Sequence, residues 1–227
     1  MGYENRQLDA GWERPRGQIY SFFAYVLLNR PDQQMLTGLL SEQVLAALQL
    51  IFPDHSATKR LARLVAEPLR IHHLREDFLL DYEALFRVPG DTYTHPYESA
   101  YLAAQDRNVG LDKLVLNPNR ARLVVESYQE LGLTPGGNFD EQPDHLGAQL
   151  DFAAHLCRLT AEELDKGESQ NALRLKDHQE SFLREHLLAW GGECLAKVER
   201  QASTELYQCL AGLGKAFLNS ERQEILH

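Results

Sequence analysis

Two acidic residues and a histidine stand just before a strongly helical segment of the chain: Glu141, Asp144 and His145. Pro143 lies among them and suits a first helical turn, where its missing N–H costs nothing. The helix dipole favours negative charge at that end. We therefore expect these polar groups at a helix mouth, both accessible and rigidly held, as recognition of a partner requires. The alternative is a helix cap with a surface histidine.

The nine histidines suggest a metal site as a second kind of chemistry. Asp151 and His155 lie four residues apart on one helix face, as metal ligands can. The chain has no H-E-x-x-H motif, however. His178 and His186 are two helical turns apart, roughly 12 Å, which is too far to share a metal ion. We expect neither a metal site nor a cofactor.

Motifs of common catalytic folds are missing from the sequence. There is no G-x-x-x-x-G-K-[ST] loop and no G-x-S-x-G elbow. Gly132, Gly136 and Gly137 follow a predicted helix, whereas a dinucleotide fingerprint follows a strand. Cys157 lies on an apolar helical stripe, which favours packing over a role as nucleophile. The sequence therefore favours a binding protein over an enzyme.

Composition restricts the class of partner. The 227 residues carry a net charge of −10, and 44% of them are hydrophobic, enough to fill a core. A nucleic-acid binder needs a basic footprint, so this class is excluded, and a basic partner fits better. The alternative is an acidic protein whose charge serves solubility alone.

Cysteine usage and apolar runs predict the compartment. The three cysteines form no C-x-x-C pair, and such a sparse, odd count suggests a reducing compartment. The early apolar run from Phe22 to Leu28 is too short to span a membrane. The N-terminus lacks the layout of a signal peptide. We expect a cytoplasmic protein without stable membrane insertion.

Apolar residues recur at helical spacing along the chain, and no strand pattern or solenoid repeat interrupts them. This predicts an all-α fold of about nine to ten helices, with Trp190 buried. Residues 1–13 are expected to be a loose lead-in, and Asp54 to cap a helix. Asp91–Tyr101, rich in aromatics and hydroxyls, is expected to be a packed loop, and Gly191-Gly192 a place where a helix breaks or bends.

Residues 132–143 contain three glycines and two prolines and predict a hinge. This gives an N-terminal helical part at 1–131 and a C-terminal helical part at 144–227. A hinge of this kind allows protomers to exchange halves. The two candidates for the assembly are a closed monomer and a hinge-swapped dimer.

Two segments together resemble a known family. One is Asp81-Tyr82-Glu83-Ala84-Leu85-Phe86 with His95-Pro96-Tyr97-Glu98-Ser99-Ala100-Tyr101, and the other is Glu141-Gln142-Pro143-Asp144-His145 before a helix with Phe152. They are similar to motifs of the cytoplasmic maturation chaperones of molybdenum-containing redox enzymes. These are the chaperones of trimethylamine-N-oxide and dimethyl-sulfoxide reductases, with nitrate-reductase assembly chaperones as relatives. The late segment with Phe182, Leu183, His186 and Trp190 resembles them too.

The resemblance implies a helical chaperone that binds a client and its twin-arginine leader until molybdopterin has been inserted. It implies a peptide-binding set of matched motif residues: Leu85, Phe86, Pro96, Tyr97, Ser99, Tyr101, Glu141, Asp144 and His145. The segment around His95–Tyr101 would fold against Asp144, which would bind leader arginines while Leu85 and Tyr97 contact the apolar part. Many members have Trp-Gly where this chain has Tyr97-Glu98, a difference that bears on leader preference.

Two other functions compete with the chaperone reading. One is a small helical hydrolase or GTP-binding enzyme; weak GTP binding is associated with some members of the family, although this chain encodes no recognisable GTP site. The other is a structural subunit of a redox complex. Recovery of a molybdopterin-enzyme precursor with the chain would favour the chaperone.

Overall fold

The computed structural model describes residues 8–67, 71–107, 118–133 and 142–226. Over these ranges the chain is all-α, as predicted, and its only β-type pairing is an isolated bridge between Tyr97 and His145. None of the helices in these ranges combines the length and apolarity needed to cross a membrane.

The helices follow one another closely in the chain. They are α1 (Ala10–Leu28), α2 (Gln33–Leu39), α3 (Glu42–Ile51), α4 (Ser56–Ala66), α5 (Ile71–Tyr82), α6 (Glu98–Arg107), α7 (Pro118–Gln129), α8 (Leu146–Asp165), α9 (Ser169–Phe182), α10 (Leu188–Gln201) and α11 (Glu205–Leu226). A π-helical turn at Glu83–Arg87 extends α5, and another at Leu183–Leu187 joins α9 to α10. Counting joined segments once, the described ranges hold ten continuous helices, in agreement with the prediction.

Side-chain caps explain where several helices begin. The Asp9 carboxylate accepts the Gly11 N–H at 2.8 Å, so α1 starts at Ala10 and the predicted lead-in over residues 1–13 is wrong from there on. Asp32 and Ser41 cap α2 and α3. His55, not Asp54 as predicted, caps α4, because its Nδ1 accepts the Ala57 N–H at 3.2 Å.

The chain divides into two compact units. The first contains residues 1–28, 97–99 and 116–189, and the second contains residues 29–96, 100–115 and 190–227. The predicted hinge at 132–143 lies mostly outside the described residues, so the boundary placed there and the parts 1–131 and 144–227 stay predictions.

The first unit is built around α8, which packs against α1 and α9. Tyr128 of α7 stacks on Phe152 of α8 with ring centroids 3.9 Å apart, and Phe182 meets Phe152 edge-on at 4.7 Å. The buried stripe of α8 includes Cys157, as expected for a packing role. Tight packing around α8 fixes the position of the side chains at its N-terminus.

The second unit packs α11 against α4 and α5. Phe78 stacks on Tyr207 at 4.2 Å, and Trp190 is buried beside Tyr101, which confirms the prediction for Trp190. Gly191 and Gly192 neither break nor end α10, which continues to Gln201. Both glycines lie in the helix interior with ordinary backbone angles, so they cost helix propensity without ending the helix.

Candidate functional site

Asp144, the predicted arginine-binding residue, is buried and holds a helix end in the first unit. Its carboxylate Oδ2 accepts the Ser99 N–H at 3.2 Å, and its backbone carbonyl accepts the Glu98 N–H at 2.9 Å. These are two of the free N–H groups of the first turn of α6. The predicted loop over Asp91–Tyr101 is therefore wrong from Glu98 onward, since a cap from a distant segment lets a helix begin there.

His145 is the N-cap of α8, and its ring packs against Tyr97. His145 Nδ1 accepts the Gly147 N–H at 3.1 Å, and its ring lies edge-on to Tyr97 with centroids 5.3 Å apart. The helix-mouth prediction is confirmed for Asp144 and His145 as a position at the mouth of α8, but the prediction that they are accessible is wrong, because both are buried. Helix α8 begins at Leu146, so Pro143 lies in the preceding turn and not in the first helical turn. Glu141 lies outside the described residues.

Glu98 anchors a buried hydrogen-bond network in the same unit. The His186 Nδ1 lies 3.0 Å from the Glu98 Oε1, and the Gln149 amide donates to the Glu98 Oε2 at 2.5 Å. Because a carboxylate only accepts, the His186 Nδ1 carries the hydrogen and its Nε2 faces the Ser127 hydroxyl at 3.4 Å. We call Glu98, Ser99, Asp144, His145, Gln149 and His186 the Glu98–Asp144 cluster. All six are buried.

Burial governs the electrostatics of this cluster. Removal from water raises the pKa of Asp144, hydrogen bonds from Ser99 oppose the rise, and the nearby Glu98 charge adds to it. The charged Asp144 carboxylate is thus held by helix N–H donors at a desolvation cost. A buried carboxylate in this setting orients the start of α6.

The remaining predicted site residues belong to the second unit, where they form core. Leu85 and Phe86 are buried, with Phe86 edge-on to Tyr207. The Leu85 carbonyl accepts from both the N–H and the hydroxyl of Thr94, at 2.9 and 2.8 Å. Tyr101 donates its hydroxyl to the Thr94 carbonyl at 2.8 Å, and Pro96 is also buried. These contacts hold the stretch before α6 against the end of α5.

Asp81, the motif aspartate of the second unit, has a structural role that the sequence analysis did not predict. The Asp81 carboxylate accepts the N–H groups of Ser203 and Thr204, at 3.0 and 2.8 Å, and the Thr204 hydroxyl at 2.6 Å. It therefore holds Thr204 from a segment more than a hundred residues away, and the Thr204 hydroxyl oxygen in turn accepts the Tyr207 N–H at 3.4 Å in the first turn of α11. Asp144 bonds directly to the first turn of α6, whereas Asp81 positions the residue that caps α11.

The predicted site is consequently not an open groove in this structure. Tyr97 and Ser99 do meet Asp144 and His145, which confirms that the fold brings the two motif segments together. Among the described members of the predicted set, however, Tyr97 is half-buried and all the others are buried. Direct contact of the others with a peptide would require a local opening, so their binding role stays a prediction.

The structure shows positioning residues that the sequence analysis left out of the site. Glu98, Gln149 and His186 were not predicted members, although Glu98 lies inside a motif. The partners Glu98 and His186 are 88 residues apart, and no local pattern joins them. Within the described ranges no group of three or more His, Cys, Asp or Glu is arranged to hold a metal ion.

Comparison with known proteins places this arrangement in a family. A family model described as nitrate reductase delta subunit matches residues 28–196, well over half of the chain. The chain belongs to the nitrate reductase delta subunit family. The matched range includes both motif segments and the Glu98–Asp144 cluster, and the resemblance to maturation chaperones of molybdoenzymes is confirmed.

Several curated proteins that are similar to this chain along most of its length are named as chaperones. The chain is 25% identical over 213 residues to the chaperone protein TorD of Shewanella pealeana, covering 93% of this chain and 90% of the relative. It is 26% identical to TorD of Vibrio cholerae, covering 91% and 90%, and 25% identical to TorD of Shigella dysenteriae, covering 90% and 94%. No solved structure shows significant similarity to the chain.

Proposed function

We propose that this protein is a cytoplasmic, non-enzymatic maturation chaperone for a molybdopterin-containing oxidoreductase. It binds the precursor and its twin-arginine leader and delays export until the cofactor has been inserted. The observation that carries the proposal is similarity to TorD chaperones over about nine tenths of the chain and of each relative. Partial motif matches would give far shorter coverage.

The electrostatics of the chain support this partner. A twin-arginine leader has a basic start followed by an apolar middle, and a chain with net charge −10 attracts it at long range. Complementary charge raises the rate of association more than the affinity, so affinity requires a local site. Tyr97, half-buried beside the buried His145, offers an accessible aromatic surface in the Glu98–Asp144 cluster region.

A calorimetric titration tests the proposal with the full chain. The titrant is the precursor of a molybdopterin oxidoreductase from the same organism, in its apo form, with and without its leader. We expect saturable binding of the apo precursor, weaker binding once the leader is deleted, and release when the client has acquired its cofactor. Absence of binding to the apo precursor would refute the proposal, and stoichiometric retention in the mature enzyme would favour a structural subunit.

A further inference from the structure

A polar groove runs between α1 and α8 in the first unit, away from the motif residues. It has a volume of about 560 Å³, within the range of ligand sites. Gly17, Ala154 and Ala161 are the small residues of its lining, and the other seven lining residues are polar or charged. A Cβ on Gly17 would lie 3.0 Å from the Cys157 Cβ and 3.3 Å from the Ala154 carbonyl, so glycine allows the two helices to approach closely.

The walls present one polar stripe from each helix. From α1 come Arg14, Gln18 and Ser21, and from α8 come Asp151, His155, Arg158 and Glu162. The spacings of three and four residues put each set on one helix face. The α8 stripe spans Asp151 to Glu162, eleven helical steps or about 16 Å, which corresponds to about five residues of extended peptide.

The charges of the groove are paired except for one. Arg158 donates to Glu162 at 2.8 Å, and Arg14 forms an ion pair with Asp165. Asp151 has no hydrogen-bond or ion-pair partner among the described residues. The groove therefore contains one half-buried carboxylate that accepts no hydrogen bond from the described residues, and the charges nearest to it are those of His155 and Arg158.

His155, one helical turn from this carboxylate, has a ring N–H without a hydrogen-bond acceptor among the described residues. Arg158 donates to the His155 Nδ1 at 2.6 Å, so the neutral imidazole carries its hydrogen on Nε2. That Nε2 has no hydrogen-bond partner in the described part of the chain. Since His155 lies one turn from Asp151, a group bound at the carboxylate would change the environment of its ring.

We propose that the α1–α8 groove binds a basic peptide segment, with an arginine guanidinium paired to Asp151. A guanidinium matches a carboxylate through two parallel N–H···O bonds, and its remaining N–H groups can donate to the Gln18 amide oxygen and the Ser21 hydroxyl. The small lining residues leave room for a planar group. An anion fits poorly, because both arginines of the groove already have carboxylate partners.

The inference rests on the proposed function, because the peptide is the leader of the client. It assigns the arginine-binding role to Asp151 in the groove in place of the buried Asp144, which lies seven residues earlier, before α8 begins. The leader arginines would then lie along α8, and the apolar middle would extend beyond the groove.

Calorimetric titration of a synthetic leader peptide tests the groove with the full chain. We expect Asp151→Asn to weaken binding about ten- to a hundredfold, the effect of losing a hydrogen-bonded charge. The matched control is Asp177→Asn on α9, which removes one exposed carboxylate of the same unit outside the groove and should change affinity less than about twofold. A peptide with glutamine in place of both arginines should bind wild type and Asp151→Asn equally.

A second readout locates the peptide. The ¹H–¹³C signal of the His155 ring should move when the leader peptide is added to wild type, and should move much less in Asp151→Asn at the same peptide concentration. Thermal melts confirm that each variant is folded.

If wild type binds no leader at all, the proposed function fails together with the groove. If leader binding is intact and Asp151→Asn behaves like Asp177→Asn, the groove alone is overturned. Sulfate moving the His155 signal while the peptide does not would likewise overturn it.

Discussion

Polar side chains lie at two places along helix α8, and the two places differ in whether those side chains have hydrogen-bond partners. At its N-terminal end, Asp144, His145 and Gln149 lie in the Glu98–Asp144 cluster, where every side chain is buried and bonded to a neighbour. Farther along, Asp151 lies in the α1–α8 groove, where it has no hydrogen-bond or ion-pair partner among the described residues. A satisfied buried group supports the structure, whereas an unsatisfied accessible one is available to a ligand.

The comparison predicts that substitutions at the two places separate stability from binding. Cluster variants should lose stability, because they leave buried donors without acceptors. Groove variants should lose affinity for a basic peptide and keep their stability.

The largest expected effect is the replacement of Glu98 by alanine. It leaves the His186 Nδ1–H and the Gln149 amide buried without an acceptor, and breaking a buried pair from one side costs about 3 kcal/mol of unfolding free energy. Urea unfolding at neutral pH measures the change.

The double variant Glu98→Ala with His186→Ala provides the control. We expect it to be less destabilised than the two single changes added together, because the two side chains are coupled through their hydrogen bond. Strict additivity would show that the contact carries no energy.

Asp144→Ala should have the second-largest effect, about 1–2 kcal/mol of unfolding free energy, the usual cost of losing a helix cap. Asp144→Asn should cost less, since its amide oxygen can still accept the Ser99 N–H. Native-state hydrogen exchange at Ser99 offers the most direct measurement, with faster exchange expected in Asp144→Ala. Unchanged stability together with a large loss of leader affinity would instead assign Asp144 the arginine-binding role predicted from the sequence.

The sequence predicted helices better than it predicted accessibility. Apolar periodicity identified α8, α9 and α11, since that pattern reflects which face is buried. It failed at Glu98, where α6 begins only because a residue 46 positions later, Asp144, supplies the cap. Motif residues such as Leu85 and Tyr101 were expected to touch a peptide, yet the structure buries both.

For the α1–α8 groove, the sequence shows the two polar stripes but not that they face each other. Asp151 and His155 were noticed as a pair of possible metal ligands, since their spacing is visible in the sequence. Arg14, Gln18 and Ser21 form an equally regular polar stripe on α1 that a period count would have shown. That the two stripes face each other follows from the close contact at Gly17, which no local pattern encodes.

Asp151→Asn should have a small effect on stability with a definite sign. Burial raises the pKa of Asp151, and the charges of His155 and Arg158 oppose the rise. A raised carboxyl pKa means that ionisation opposes folding as pH rises through it. The variant lacks this penalty, so its unfolding free energy should equal or exceed that of wild type at pH 7, by less than about 1 kcal/mol. Thermal melts at pH 4 and pH 7 check it. A variant clearly less stable at pH 7 would show that Asp151 has a structural partner.

The smallest expected effect is the pH dependence of leader binding. Burial and the charge of Arg158 lower the pKa of His155 below the ordinary histidine value of 6.5, so the ring is neutral at pH 7 and gains a proton on acidification. The new positive charge on His155, beside Asp151, repels a guanidinium. In addition, because the pKa of Asp151 is raised, its carboxylate begins to gain a proton at a higher pH than an ordinary aspartate does. The other charged groups facing them are Arg14 from α1 and Arg158 and Glu162 from α8.

We therefore expect leader affinity to fall about threefold between pH 7 and pH 5, the size of a weak, partly screened charge interaction. Calorimetry with a leader peptide that lacks histidine and acidic residues measures this profile without titration of the ligand. His155→Gln should flatten the upper part of the profile while keeping the affinity at pH 7, because glutamine cannot gain the proton. Affinity that rises on acidification, or an unchanged profile in His155→Gln, would separate the binding of the leader from the α1–α8 groove.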